Sequence, residues 1–385
     1  MQTEKLYYQD SHIRSFTATV VSCAAGKHGY DVILDRTAFY PEGGGQAGDT
    51  GTLSGVRVTD THERGGQIVH YCDAPLAEGR TVQGELDWAR RFSLMQLHSG
   101  EHLVSGIIHR RFGYENVGFH MGAEMTTIDF SGMLTPDDLR QIEREANEAV
   151  WRNLPVEISW PDAETLKTIP YRSKKELTGE VRIVTFPGVD ICACCGTHVA
   201  RTGEIGLIKI FSCQKFHDGV RLELLCGERA YSHVCTLVEQ NRQNSVLLSA
   251  KAPQTAAAVQ RLLDEQAQLK LRCVQLERRV IAEKKERYCS AGNVLLFESG
   301  LSPDALRLLT TEIMACCGGR CAVFTQSAQG YQYYIGQENG ALRELTLRMN
   351  AALRGRGGGK PNFVQGSVQA DEAEIRAFFA QEADV

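Results

Sequence analysis

The sequence predicts an α+β chain in four successive parts: a β-barrel-like N-terminal domain, an α+β core, a helical hairpin and a C-terminal α/β domain. Three observations predict it. Short β-rich runs broken by glycines fill the first 90 residues, the apolar period turns helical at Asp87, and a heptad repeat follows Glu228.

The elements follow in order. Phe16–Val21 and Asp31–Leu34 are β-rich and separated by Gly26 and Gly29; Gly43-Gly44-Gly45, Val56–Val58 and Ile68–Tyr71 continue the pattern. Frequent turns between short strands predict a small barrel or curled sheet over residues 1–90. Phe92, Met95, Leu97, Leu103, Ile107 and Ile108 then recur at helical spacing, predicting a buried helix over Trp88–Phe112. A strand is expected at Met125–Phe130. Pro136 opens a second helix with Leu139, Ile142, Ala146 and Val150 on one face. Strands at Val156–Ser159, Arg182–Phe186 and Glu204–Ile210 complete a core spanning 91–227.

Two helical runs flank Lys251-Ala252-Pro253, and the second carries the heptad Val259, Leu262, Gln266, Leu269, Cys273, Leu276, Val280. The Pro253 turn favours an intramolecular hairpin or coiled coil over 228–288, with the seam still open to a second chain as a homodimer contact. Beyond it, Asn293–Phe297, Cys321–Gln326 and Tyr331–Ile335 alternate with the helical run Ala305–Cys316, predicting an α/β domain over 289–385.

Composition narrows the class of function. With 385 residues, 43% hydrophobic and 23% charged, the chain has enough apolar material for a core, which excludes a wholly disordered protein. No window approaches 18 apolar residues, so no membrane partner is expected. The polar start Met1–Lys5 lacks a secretory signal, and 13 cysteines is an odd count. Together they point to the cytoplasm and to thiols that bind metal or lie buried. A net charge of −5 means that a nucleic-acid partner would need a local basic surface.

Two short motifs carry metal chemistry. His98-Ser99-Gly100-Glu101-His102 sets two imidazoles at i and i+4, one above the other on a helix. Cys194-Cys195-Gly196-Thr197-His198 repeats that separation with a thiol. His98, His102, Cys194 and His198 together would form a closed tetrahedral set suited to zinc, and Gly196 allows a tight turn around it. Cys192 and Cys195 are alternatives for the thiolate. His98–His102 also fits the H-x-x-E-H pattern of inverzincin metallopeptidases, but such an enzyme completes its set with a carboxylate rather than Cys-x-x-x-His.

Thr37-Ala38-Phe39-Tyr40-Pro41-Glu42-Gly43-Gly44-Gly45-Gln46, His98–His102 and Cys194–Val199, in this order, resemble the editing domain of alanyl-tRNA synthetase. They are more similar still to the freestanding, long-form AlaX-type trans-editing proteins. Arg354–Pro361 resembles the glycine-rich motif of the DHH-associated C-terminal domain, so the resemblance covers nearly the whole chain. One departure is Cys195, which stands where the family has the first of two glycines. No Asp-His-His motif occurs, so a phosphoesterase is not expected.

The resemblance implies a zinc-dependent deacylase that hydrolyses, in trans, the ester joining serine or glycine to alanine tRNA. It places Thr37 near the substrate hydroxyl and Gln46 at the end of the glycine loop. Between Ala341 and Pro361 five basic residues face one acid, and Arg354, Arg356 and Lys360 are the expected tRNA contacts. A zinc-stabilised tRNA-binding module without turnover is the alternative from a different class.

Overall fold

Strands that bury every second side chain build the N-terminal part. In the first unit of the computed structural model, which reaches to Arg242, the chain runs β1 (Glu4–Lys5), α1 (Leu6–Gln9), β2 (Ser15–Gly26), β3 (Gly29–Leu34), β4 (Arg36–Thr37), β5 (Gly51–Leu53), β6 (Val56–Arg64), β7 (Gln67–Cys72) and β8 (Thr81–Leu86). The structure describes residues 2–173 and 179–382. Six strands pair in the closed order β2-β3-β7-β6-β5-β8, and β8 returns to β2 with Gln83 opposite Thr17. Phe16, Ala18 and Val20 of β2 and Val82 and Leu86 of β8 point inward to Leu34, Leu53 and Val58.

The next element is α2 (Trp88–Phe112), with the bounds its period predicts. Asp87 caps it by accepting from the Arg90 N–H, and Gly113 ends it in the left-handed region at φ 69°. All residues from Leu94 to Ile108 are buried. A helix buried on every face is the centre of its unit, and the unit is built around it. Gly100 makes this possible on one side, since a Cβ there would stand 2.2 Å from the Cys226 Sγ.

Around α2 lie β9 (Asn116–Met121), β10 (Thr126–Phe130), α3 (Pro136–Trp151), β11 (Glu157–Ser159), α4 (Ala163–Leu166), β12 (Ile183–Phe186), β13 (Asp190–Ala193), β14 (Ile208–Phe216), β15 (Gly219–Cys226) and α5 (Gly227–Leu247). The order β14-β15-β10-β9 forms one antiparallel sheet and β11-β12-β13 another. The strand expected at Glu204–Ile210 starts later. Thr202–Ile205 forms a 3-10 turn, closed by Glu204 accepting from the Arg201 N–H and by Gly206 at φ 78°. The expected division near residue 90 falls inside α2. There the buried Arg91 donates to Asp49 (2.8 Å) and to the Ser11 carbonyl (3.0 Å), tying helix to barrel.

The second unit starts at Gln243. It holds α6 (Thr255–Tyr288), β16 (Gly292–Glu298), α7 (Pro303–Met314), β17 (Gly318–Ser327), β18 (Gly330–Gln337), α8 (Leu342–Ala352), β19 (Arg356–Lys360), β20 (Phe363–Val368) and α9 (Glu372–Gln381). One sheet in the order β16-β17-β18-β20-β19 separates two cores. Cys321 and Val323 face α6 and α7, while Ala322 and Phe324 face α8 and α9.

The second unit departs from the sequence reading in these respects. The heptad side chains of α6 are exposed rather than buried against a neighbouring helix, with Leu262 at 56% and Leu269 at 61%. The glycine run Arg356–Lys360, read from the sequence only as a motif, is an edge strand paired with β20. Cys289 and Cys316 form a disulfide instead of remaining thiols. Among the described residues, no helix is long and apolar enough to cross a membrane.

Candidate metal centre and cavity

Helix geometry and one tight turn assemble the centre. On α2, His98 and His102 project from successive turns, and the chain leaving β13 brings Cys194 and His198 against them. The Cys194 Sγ lies 3.4 Å from the His98 Nε2 and 3.4 Å from the His198 Nε2. One donor atom from each of the four residues falls within 4.8 Å of the others. Gly196 is required for this approach, because a Cβ at that position would stand 2.1 Å from the His98 Cε1.

The other nitrogen of each imidazole is already committed. The His98 Nδ1 faces the Gln46 Oε1 at 3.1 Å, the His102 Nδ1 faces the Asp190 Oδ2 at 2.8 Å, and the His198 Nδ1 faces the Ser99 Oγ at 3.2 Å. In the tautomer that donates outward through Nδ1–H, all three rings turn an unprotonated Nε2 to the centre. Asp190 is fixed in turn by two Arg172 bonds, each 2.8 Å. Arg182 holds the thiolate turn by donating to the carbonyls of Cys194 (2.7 Å) and Gly196 (2.9 Å).

Electrostatics fits a metal donor set. Burial alone would raise the Cys194 thiol, but the neighbouring His98 and His198 rings hold it well below its ordinary value. Burial pushes His198 down to about 3, whereas His102, despite burial, is raised to about 10 by its hydrogen bonds to Asp190 and Cys194, so a metal bound there would displace a proton from that ring. Burial also opposes the charged form of Asp190, yet hydrogen bonds from His102 and Arg172 bring it to about 2. One thiolate and three imidazoles make a closed set for a divalent metal.

The two alternative thiols line the same cavity but face other partners. Cys192 falls in a second buried group with Asp190 and with His102, which the two groups share, and burial raises its pKa. The Cys195 Sγ sits 3.8 Å from the Tyr40 hydroxyl. Glu101, the base of the peptidase pattern, is buried and accepts from the Ser105 hydroxyl at 2.7 Å.

A cavity of about 1040 Å³ opens beside the four residues. Its wall includes His98, His102 and Cys194 together with Gly44 and Gly45 of the glycine loop and the rings of Tyr8 and Trp160. The Arg182 guanidinium lies 5.1 Å from the centre of the Tyr8 ring, and the Tyr8 and Trp160 rings meet edge to face. The mixture of aromatic faces, cations and a metal set suits a nucleoside bearing a small polar group.

Two residues expected at the substrate do not line this cavity. Thr37 is fully buried in a polar chain: its Oγ1 accepts from the Phe39 N–H (3.1 Å) and meets the His70 Nε2 (2.8 Å). His70 itself meets the Val32 carbonyl through Nδ1 at 3.0 Å. Gln46 is 1% exposed and occupied by the Thr197 hydroxyl (2.8 Å), the Thr197 N–H (3.1 Å) and His98. It braces the metal centre rather than facing the cavity. Of the expected tRNA contacts, Arg356 and Lys360 are exposed on β19, whereas Arg354 pairs with Glu374 at 3.0 Å. Sequence reading missed Asp190, Ser99, Arg172 and Arg182, whose partners are distant in the chain or backbone carbonyls.

A model described as tRNA synthetases class II (A) matches residues 2–90, and one for the threonyl and alanyl tRNA synthetase second additional domain matches residues 181–222. The alanyl-tRNA editing protein AlaX-L of Pyrococcus horikoshii is 29% identical over 97% of this chain and 96% of its own length. The alanyl-tRNA editing protein Aarsd1 of Rattus norvegicus is 29% identical over 97% of this chain and 96% of its own. The alanine–tRNA ligase of Pyrobaculum calidifontis is 32% identical over 97% of this chain, which spans 43% of that longer protein.

Proposed function

The chain belongs to the alanyl-tRNA editing family, and on that premise we propose that it hydrolyses the ester joining serine or glycine to alanine tRNA, acting in trans. The observation that carries the reading is the closed His98-His102-Cys194-His198 set, three members of which line a cavity of about 1040 Å³.

His98, His102, Cys194 and His198 would hold a zinc ion, which when bound supplies Lewis-acid polarisation or orientation of the aminoacyl-adenosine end. The chain's own residues do the rest. Gln46, Asp190 and Ser99 fix the three rings through Nδ1 and keep each Nε2 directed inward. Arg182 keeps the thiolate turn closed. Tyr8 and Trp160 offer ring faces to the terminal adenosine, and Gly44 and Gly45 let its backbone approach closely. Arg356 and Lys360, exposed on β19 beside three glycines, would contact phosphates of the tRNA body. The peptidase reading is weakened because the fourth donor is a thiol-imidazole pair, not a carboxylate.

The test is deacylation of serine-, glycine- and alanine-charged alanine tRNA by the purified protein. Release of serine or glycine faster than alanine is expected, with loss of release in His98→Ala and Cys194→Ala. Tight tRNA binding without turnover on any of the three would make the protein a binding module instead.

A further inference from the structure

The motif His98–His102 holds a charged residue that is not one of the four donors. Glu101 stands three positions after His98 and directly before His102, so α2 sets it on the face that carries the centre. It is 1% exposed, yet it forms part of the cavity wall. Its Oε1 accepts from the Ser105 hydroxyl (2.7 Å), one turn further along α2, and from the Asn116 Nδ2 (2.5 Å) at the start of β9. Asn116 also donates to the Ser105 hydroxyl at 3.1 Å, which closes the triangle. The carboxylate is thereby held with its other oxygen, Oε2, 3.9 Å from the His102 Nε2.

The position of this oxygen says what it receives. Burying a carboxylate is costly, and neutral donors offset the cost only in part, so a cation is the ligand such a group is built to take. Among the described residues of the wall, the other carboxylates are Glu63, which pairs with Lys5 at 2.8 Å, and Glu180, which is exposed. An aminoacyl ester carries a cation of its own, the α-ammonium, two bonds from the ester carbon. When that carbon lies at the donor set, the ammonium comes within reach of an oxygen 3.9 Å from the His102 Nε2. At that distance the contact with the ring is electrostatic rather than a hydrogen bond, and a carboxylate oxygen accepts more than one N–H.

We propose that Glu101 binds the α-ammonium of the aminoacyl ester and so restricts the cavity to esters with a free amine. Serine, glycine and alanine share this group, and the contact does not choose among them. It rejects N-acylated esters, peptidyl esters included, whose nitrogen is a neutral amide. The assignment rests on the deacylase reading for its substrate.

Its test needs no turnover. Isothermal titration of the zinc-loaded protein would compare 3′-(L-seryl)amino-3′-deoxyadenosine, an amide in place of the ester, with the same compound bearing a hydroxyl instead of the ammonium. The parent should bind the ammonium compound at least about tenfold more tightly. Glu101→Gln, which keeps an acceptor for Ser105 and Asn116, should bind the two alike at unchanged zinc content and circular dichroism, and Glu101→Asp should keep the preference. In deacylation, Glu101→Gln should slow release from serine-charged alanine tRNA and leave the slow release from its N-acetylseryl form unchanged; a general base or a purely structural residue would lower both. Equal affinity of the parent for the two compounds, or a preference that survives Glu101→Gln, would overturn the assignment. A preference lost in Glu101→Gln but without serine release by the parent would keep Glu101 as the partner of the ammonium and sink the deacylase reading instead.

Discussion

Gly196 is the position where one methyl group decides the metal centre. A Cβ there would stand 2.1 Å from the His98 Cε1 and 3.1 Å from the Gln46 Oε1, so ring and turn cannot both stay. Gly196→Ala should leave the far-ultraviolet circular dichroism unchanged while zinc per chain, read by atomic absorption, falls far below that of the parent. Full metal content would mean that the turn yields more easily than its packing implies. Thr37 calls for a different expectation from the one that resemblance alone supports. Its hydroxyl is held between the Phe39 N–H and His70, so Thr37→Val strands two buried polar groups. It should cost about 1–3 kcal/mol in denaturant unfolding and leave the serine-to-alanine rate ratio unchanged. A changed ratio at parental stability would return Thr37 to the substrate. The spacing of His98 with His102 and of Cys194 with His198 made the gathering of these four side chains legible in the sequence. Asp190, Ser99 and Gln46 were not legible in their bracing role, because the ring each one braces lies 52 to 99 residues away and no local period links them.

At the scale of elements, what was readable depended on whether burial follows a local repeat. α2 buries all its faces from Leu94 to Ile108, and its bounds follow from the run of apolar residues together with the Asp87 cap. β19 was not readable, because Arg356-Gly357-Gly358-Gly359-Lys360 has no side-chain alternation, and only its pairing with β20 makes it a strand. As an edge strand it presents alternate amides to solvent between two exposed cations. Replacing Arg356 and Lys360 with alanine should raise KM for charged tRNA and reduce the slope of log KM against log salt by about one per phosphate contact removed. kcat should stay within about twofold. An unchanged salt slope would place the tRNA on another surface.

At the scale of the whole molecule, the first unit contains a pH liability remote from its metal donors. Burial holds His70 at about 4 despite its bond to the Val32 carbonyl, against 6.5 for an ordinary histidine. Between those values the unfolded chain binds the proton and the folded chain does not. The stabilising effect of neutral His70 is therefore complete above about pH 6.5 and is lost as pH falls toward 4, by at most about 3 kcal/mol. Urea midpoints taken at neutral and mildly acid pH should fall more steeply for the parent than for His70→Gln; parallel declines would show that other groups dominate.

Gln46 gives the glycine loop a stake in whatever the donors hold. The same amide oxygen that receives the His98 ring also receives the Thr197 N–H, so the turn after Tyr40 and the turn after Cys194 are fastened at a single atom. A chelator that frees His98 slackens that fastening from one side. Faster deuterium uptake should then spread along the backbone from Gly43 to Asp49, making this loop an early reporter of demetallation.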